Sequence, residues 1–146
     1  MKKNLLIKIL TACIIGISII GCTKSPSETD IFNLVNKKYG RDLVISIDLK
    51  NKGAKQKRND KTVFAYTLGI SYIRGGLAYG YVSGCPEKHC CKDTEYSVEI
   101  DYLIGKNQWD EWELYDSRTI NRKEVDEYWR PASKSLKEFY KDRISN

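Results

Sequence analysis

The 146-residue chain holds a single histidine, His89, so it is poor in the side chain that most often acts as a general base near neutral pH. It has no nucleophile elbow, no His-Glu-x-x-His helix, no Gly-rich phosphate loop and no internal repeat, which removes the common signatures of hydrolases, zinc proteases and nucleotide enzymes. The Gly-punctuated oxygen loop of a calcium site is missing, and so is the two-residue gap of a thioredoxin-like cysteine pair. Glu111 and Glu113 alone imitate a glycosidase pair, at roughly 7 Å along one strand face, but neighbouring acids on an exposed hairpin make no cleft. The chain therefore reads as a non-enzyme without metal or other cofactor. It also lacks any apolar run of about 20 residues, the length needed to cross a bilayer. Its longest uncharged greasy stretch, Ile9 to Ile20, has 12 residues.

That short stretch follows Met1-Lys2-Lys3-Asn4, and a charged start before a short apolar core is the pattern of an export signal. Immediately after it, Ile19-Ile20-Gly21-Cys22 resembles the lipobox of bacterial lipoprotein precursors, a resemblance confined to residues 1–22. It implies cleavage before Cys22, attachment of diacylglycerol to the Cys22 thiol, and acylation, with palmitate-type chains, of the new amino group. Thr23, rather than Asp, after the cysteine implies an outer-membrane destination facing the periplasm. Each buried methylene contributes about 0.8 kcal/mol, so two or three chains hold where one is marginal. The expected organisation is a signal peptide at 1–21, a lipidated tether at 22–24 and one domain at 25–146.

Removing the signal leaves 125 residues, enough for one modest core. Without Lys2, Lys3 and Lys8 the net charge falls from +6 to +3. Much of the excess lies in the run from Lys50 to Lys61, which contains no aromatic residue to stack on a base, so it reads as a solvated loop and nucleic acid is not an expected partner.

The spacing predicts a first helix capped by Ser25, with Pro26 at its first position, Glu28 closing the capping box, Ile31, Leu34, Val35 and Tyr39 on one face, and Gly40 as its stop. From Leu43 the period becomes two. Leu43 to Lys50 predicts one strand, and Val63 to Tyr72 a longer one with large residues on one face and small ones, free for a helix to cover, on the other. Leu77, Tyr79 and Tyr81 predict a third strand interrupted by Gly80, while Thr94–Ile104 and Trp109–Ser117 predict two more around a tight turn at Gly105-Lys106-Asn107. Asn121 and Glu124 then cap a predicted helix carrying Val125, Tyr128 and Trp129. It breaks at Pro131, from which Ala132, Leu136, Phe139 and Tyr140 continue a second apolar stripe. The expected fold class is α+β: a helix, an antiparallel sheet of about five strands, and a C-terminal helix broken at Pro131.

Cys85, Cys90 and Cys91 remain once Cys13 leaves with the signal and Cys22 is lipidated. Outside the cytoplasm the expected state is one disulfide, Cys85 to Cys90 or to Cys91, because adjacent cysteines pair poorly; the third thiol is then buried or cross-links a second copy. A metal or redox module on Cys85, His89, Cys90 and Cys91 is the rival reading, opposed by the crowding of three consecutive ligands.

Pairing the last two predicted strands through a three-residue turn sets Tyr102 against Asp110, Ile100 against Trp112 and Val98 against Leu114. Their other face then carries Glu99, Asp101, Glu111 and Glu113, with Asp101 facing Glu111 and Glu99 facing Glu113, between Trp109 and Tyr115. Like charges so opposed destabilise a sheet, so either a neighbouring Lys or Arg or a cationic partner must offset them. Carboxylates flanked by exposed aromatics suit a protein-binding surface. The expected function is a lipid-anchored envelope protein that binds another protein through Glu99, Asp101, Trp109, Glu111, Glu113 and Tyr115. An immunity-type inhibitor of a cationic toxin is its sharpest form, and an envelope assembly or accessory lipoprotein its alternative.

Overall fold

The computed structural model describes residues 24–80, 82–85 and 87–144. The expected signal peptide at 1–21, Cys22 and the strand position given to Tyr81 lie outside the described residues.

Helix α1 spans Glu28–Lys38 and is capped by Ser27, whose Oγ accepts from the Asp30 amide at 3.2 Å while the Ser27 amide donates to Asp30 Oδ2 at 2.9 Å. The capping box is thus shifted two residues from the expected Ser25–Glu28 pair. Pro26 is buried and Ser25 lies beside Tyr66, so the chain meets the sheet before the helix begins. Asp30 and Glu28 in the first turn and Lys37 and Lys38 in the last match the helix dipole. Ile31 and Val35 are buried, each contributing about 2 kcal/mol by removal from water.

Six antiparallel strands form one sheet: β1 (Leu43–Asn51), β2 (Lys55–Arg58), β3 (Lys61–Arg74), β4 (Ala78–Tyr79), β5 (Cys90–Lys106) and β6 (Trp112–Pro131). β1 and β2 follow one another along one edge of β3, whose other edge pairs with β5. β4 continues that column against Cys90 and Cys91, and β6 pairs with the far edge of β5 along its whole length. The basic run is therefore not simply a loop. Lys55–Arg58 folds back on Lys61–Phe64 through a two-residue turn in which Asn59 and Asp60 both take positive φ, a twist that suits a tight hairpin.

Phe64, Tyr66, Leu68, Ile70 and Tyr72 of β3 oppose Ile104, Tyr102, Ile100, Val98 and Tyr96 of β5, and α1 closes over this face. The helix thus takes the large-residue face and not the small one, because only the large side chains offer an apolar surface worth burying. A register shift at Ile45 brings Val44, Ile47 and Leu49 of β1 into the same core.

The C-terminal half corrects the expected helices. Residues 121–130 continue β6, and only Leu136–Phe139 (α2) is helical beyond Pro131, followed by a 3-10 turn at Lys141–Arg143. The described residues are mostly sheet with two short helices, less balanced than the expected α+β form. The C-terminal segment is clasped to one end of the sheet's second face. Asp93, wholly buried, receives Arg130 Nε at 2.7 Å, Tyr140 Oη at 3.1 Å and the Gly76 amide at 3.1 Å, while Arg130 Nη1 donates to the Lys134 carbonyl. Beside it, Glu95 accepts from Tyr128 Oη and from Arg143 Nη2, both at 2.7 Å.

Candidate functional site

The centre of the second face is left open among the described residues. Successive odd residues of β3 and β5 point to this side, and the pairing aligns them in three rungs. The first rung is Thr67, Asp101 and Arg118. The second is Asp48, Gly69, Glu99 and Asn121, and the third Ser46, Ser71, Ser97 and Lys123. Every side chain here is short or charged, so the face has little apolar surface to drive its own burial.

Within the rungs a hydrogen bond from a neutral hydroxyl and an ion pair form. Thr67 Oγ1 donates to Asp101 Oδ1 at 2.7 Å. Lys50 reaches across Gly69 to bridge Asp48, and this hydrogen bond, reinforced by the Asp48 charge and then by Glu99, holds the Lys50 ammonium above its ordinary pKa. A methyl group at Gly69 would stand 3.1 Å from Lys50 Cε, so the glycine leaves the groove in which that side chain lies. The result is a flat, solvated strip with carboxylates on β1 and β5 and cations on β1 and β6.

The six side chains expected to act together are divided by the fold. Glu99 and Asp101 lie on the open face. Glu113 sits beyond its tip end, opposite Gly105, and Tyr115 folds its ring over Gly105, donating to the Lys106 carbonyl and accepting from Lys61 Nζ, both at 2.9 Å. Trp109 and Glu111 belong to the connection between β5 and β6. There Asn107 Oδ1 accepts from both their amides, at 2.9 and 3.0 Å, and Asp110 takes φ 65°.

The expected register is therefore overturned. Tyr102 opposes Ser117, Ile100 opposes Thr119 and Val98 opposes Arg122, while Trp112 opposes Lys106 and packs edge-on against Phe64. Asp101 faces Arg118 and Glu99 faces Asn121, so the four-acid confrontation does not arise. The turn is longer than three residues because Asn107 has a side chain able to cap two further amides. Arg118, Asn121 and Lys123 were missed as members of the face, because Arg118 fell just past a strand expected to end at Ser117 and the other two fell in the expected helix. The small residues Thr67, Gly69 and Ser71 were the signal available for them.

In the cysteine loop, Cys85 and Cys90 form a disulfide, and Cys91 is a free, buried thiol beside Arg130. The adjacent His89 is exposed, and its carbonyl accepts from the Ala132 amide, tying the loop to the C-terminal clasp. Among the described residues no three His, Cys, Asp or Glu side chains converge as metal ligands, and no helix is long and apolar enough to cross a membrane. Set against known proteins, the chain matches no family model, no curated protein and no solved structure.

Proposed function

We propose that this is an envelope protein, anchored through lipid on Cys22, whose open sheet face binds another protein, in the manner of an assembly or accessory lipoprotein. The observation that carries the reading is the run of three polar rungs left uncovered between the C-terminal clasp and the hairpin tip, while the opposite face is closed by α1. A flat strip of this kind suits a macromolecular surface better than a small molecule, which needs a concave site. Its alternating charges favour a partner that presents both signs in register, since such patterns supply specificity and steering. An immunity-type inhibitor of a cationic toxin is the second reading; it draws on Glu99 and Asp101, but the facing Arg118 dilutes the acidity it requires. The metal or redox alternative is the least favoured, because the disulfide and the burial of Cys91 leave that loop no ready thiolate.

A photo-crosslinking residue at Ser97, in the full chain in its native envelope, tests the reading. A discrete cross-linked partner is expected, lost when Asp101→Lys is added. A Ser97 probe that captures nothing more than the same probe at exposed Lys137 would exclude the face as the interface.

A further inference from the structure

We infer that the hairpin-tip end of the sheet rests on the bilayer surface, with the Trp109 side chain seated among the lipid headgroups. The inference builds on the anchor at Cys22 proposed above.

Chain length sets the geometry. Only Thr23, Lys24 and Ser25 separate Cys22 from Pro26, which is buried, and Ser25 lies beside Tyr66. Four residue steps at full extension cover at most about 14 Å, so a lipid on Cys22 holds the bilayer within that distance of the place where the chain enters the fold.

That place lies toward one end of the sheet. The first turn of α1 sets Asp30 near enough to Lys106 to feel its charge, and the helix ends with the Tyr39 ring tilted against Tyr72 at 4.7 Å. It therefore runs from the end at which β5 meets β6 along the sheet, with Lys37 and Lys38 still beside Trp112 and Leu114. Two turns project at the entry end. Val63 is paired with Gly105, which sets the Asn59-Asp60 turn level with the Asn107–Glu111 turn; Arg58 bonded to Asp116 and Lys61 bonded to Tyr115 tie the two together.

The chemistry of this end fits an interface. Trp109 is 72% exposed, and it is presented by a turn that Asn107 holds through two amides and a side-chain bond to Glu111. A large amphipathic ring fixed outward in this way gains by entering the headgroup layer, where its apolar body is buried and its N–H stays hydrated. Lys55 and Lys57 stand exposed on β2 at the same end, and the two turns with their flanks, residues 55–61 and 106–111, hold five basic groups against three acidic ones, a mild attraction toward anionic lipid.

The tryptophans provide the readout. Trp112 is half-buried, edge-on against Phe64, and Trp129 pairs with Lys92 at the other end of β5, about 45 Å from the tip at strand spacing. The full chain, matured in cells and reconstituted into vesicles containing anionic lipid, is compared with and without bromination near the headgroup end of the acyl chains. Trp109 being one of three tryptophans, the brominated lipid is expected to remove up to about a third of the emission, and Trp109→Phe to abolish that loss. Protein that floats with the vesicles after a high-salt wash yet shows no quenching overturns the seating of Trp109 and leaves the anchor standing, as does equal quenching of Trp109→Phe. Protein that does not float at all overturns the anchor, and this inference with it.

Discussion

Arg130 and Asp93 form an ion pair that water barely reaches, with the Arg130 side chain 9% exposed and that of Asp93 not at all. Such a pair holds only when its remaining hydrogen-bonding groups are also engaged, and here Tyr140, Gly76 and the Lys134 carbonyl engage them. Burial, and then the Asp93 charge, push the Tyr140 phenol well above its ordinary pKa, so it stays neutral and donates. Arg130→Met strips Asp93 of its cation without a large loss of volume. It is expected to lower the stability by about 3–5 kcal/mol, read from urea unfolding, and a loss below about 1 kcal/mol would mean that Asp93 is rescued by solvent. The pair was not legible in the sequence, where Asp93 sits two residues beyond a cysteine pair and Arg130 lies inside a helical pattern. The Cys85–Cys90 bond was legible as one of two choices, since it depends on local spacing and on the poor geometry of neighbouring cysteines.

β6 explains where pattern reading failed at the level of the element. Its pairing with β5 skips one residue between Leu114 and Asp116, another between Thr119 and Asn121 and a third between Glu124 and Asp126, so Tyr115, Ile120 and Val125 are each left over as bulges. Bulges at every fifth residue break the period of two, and what remains resembles the three-to-four spacing of a helix. β1, β3 and β5 were readable because their alternation runs on for long stretches, with bulges only near the two ends of β1, at Ile45 and Lys50. The link between β3 and β4 depends on close approach instead. A methyl group built on Gly76 would meet the Lys92 carbonyl oxygen at 1.7 Å, whereas one on Gly80 meets nothing within 4 Å. Gly76→Ala is therefore expected to cost roughly 1–3 kcal/mol through a forced backbone shift, and Gly80→Ala close to nothing, in parallel denaturation curves. Equal effects would place the crowding elsewhere.

For the molecule as a whole, the division between a closed face and an open face matters more than any single contact. α1 covers the apolar face of β3 and β5, and the centre of the opposite face stays polar and presents Glu99, Asp101 and Arg118. Location is a separate matter, which the proposed lipid anchor assigns to Cys22. Cys22→Ser is expected to abolish incorporation of a fatty-acid probe and to remove the processed form from the membrane fraction. A Cys22→Ser chain that still matures and stays with the membrane would end the lipoprotein reading.

From the linear chain alone came the first helix and the sorting of large and small residues to opposite sides of β3, as did the proposal of an export core and a short tether. These are matters of local composition and period. The tertiary structure decided which side the helix covers, that Asp101 meets Arg118 instead of Glu111, and that the last third of the chain extends a strand before clasping Asp93. Those choices turn on register and on contacts between residues far apart in sequence, and a one-residue shift in either strand of a pair exchanges the two faces without altering the pattern from which they were read.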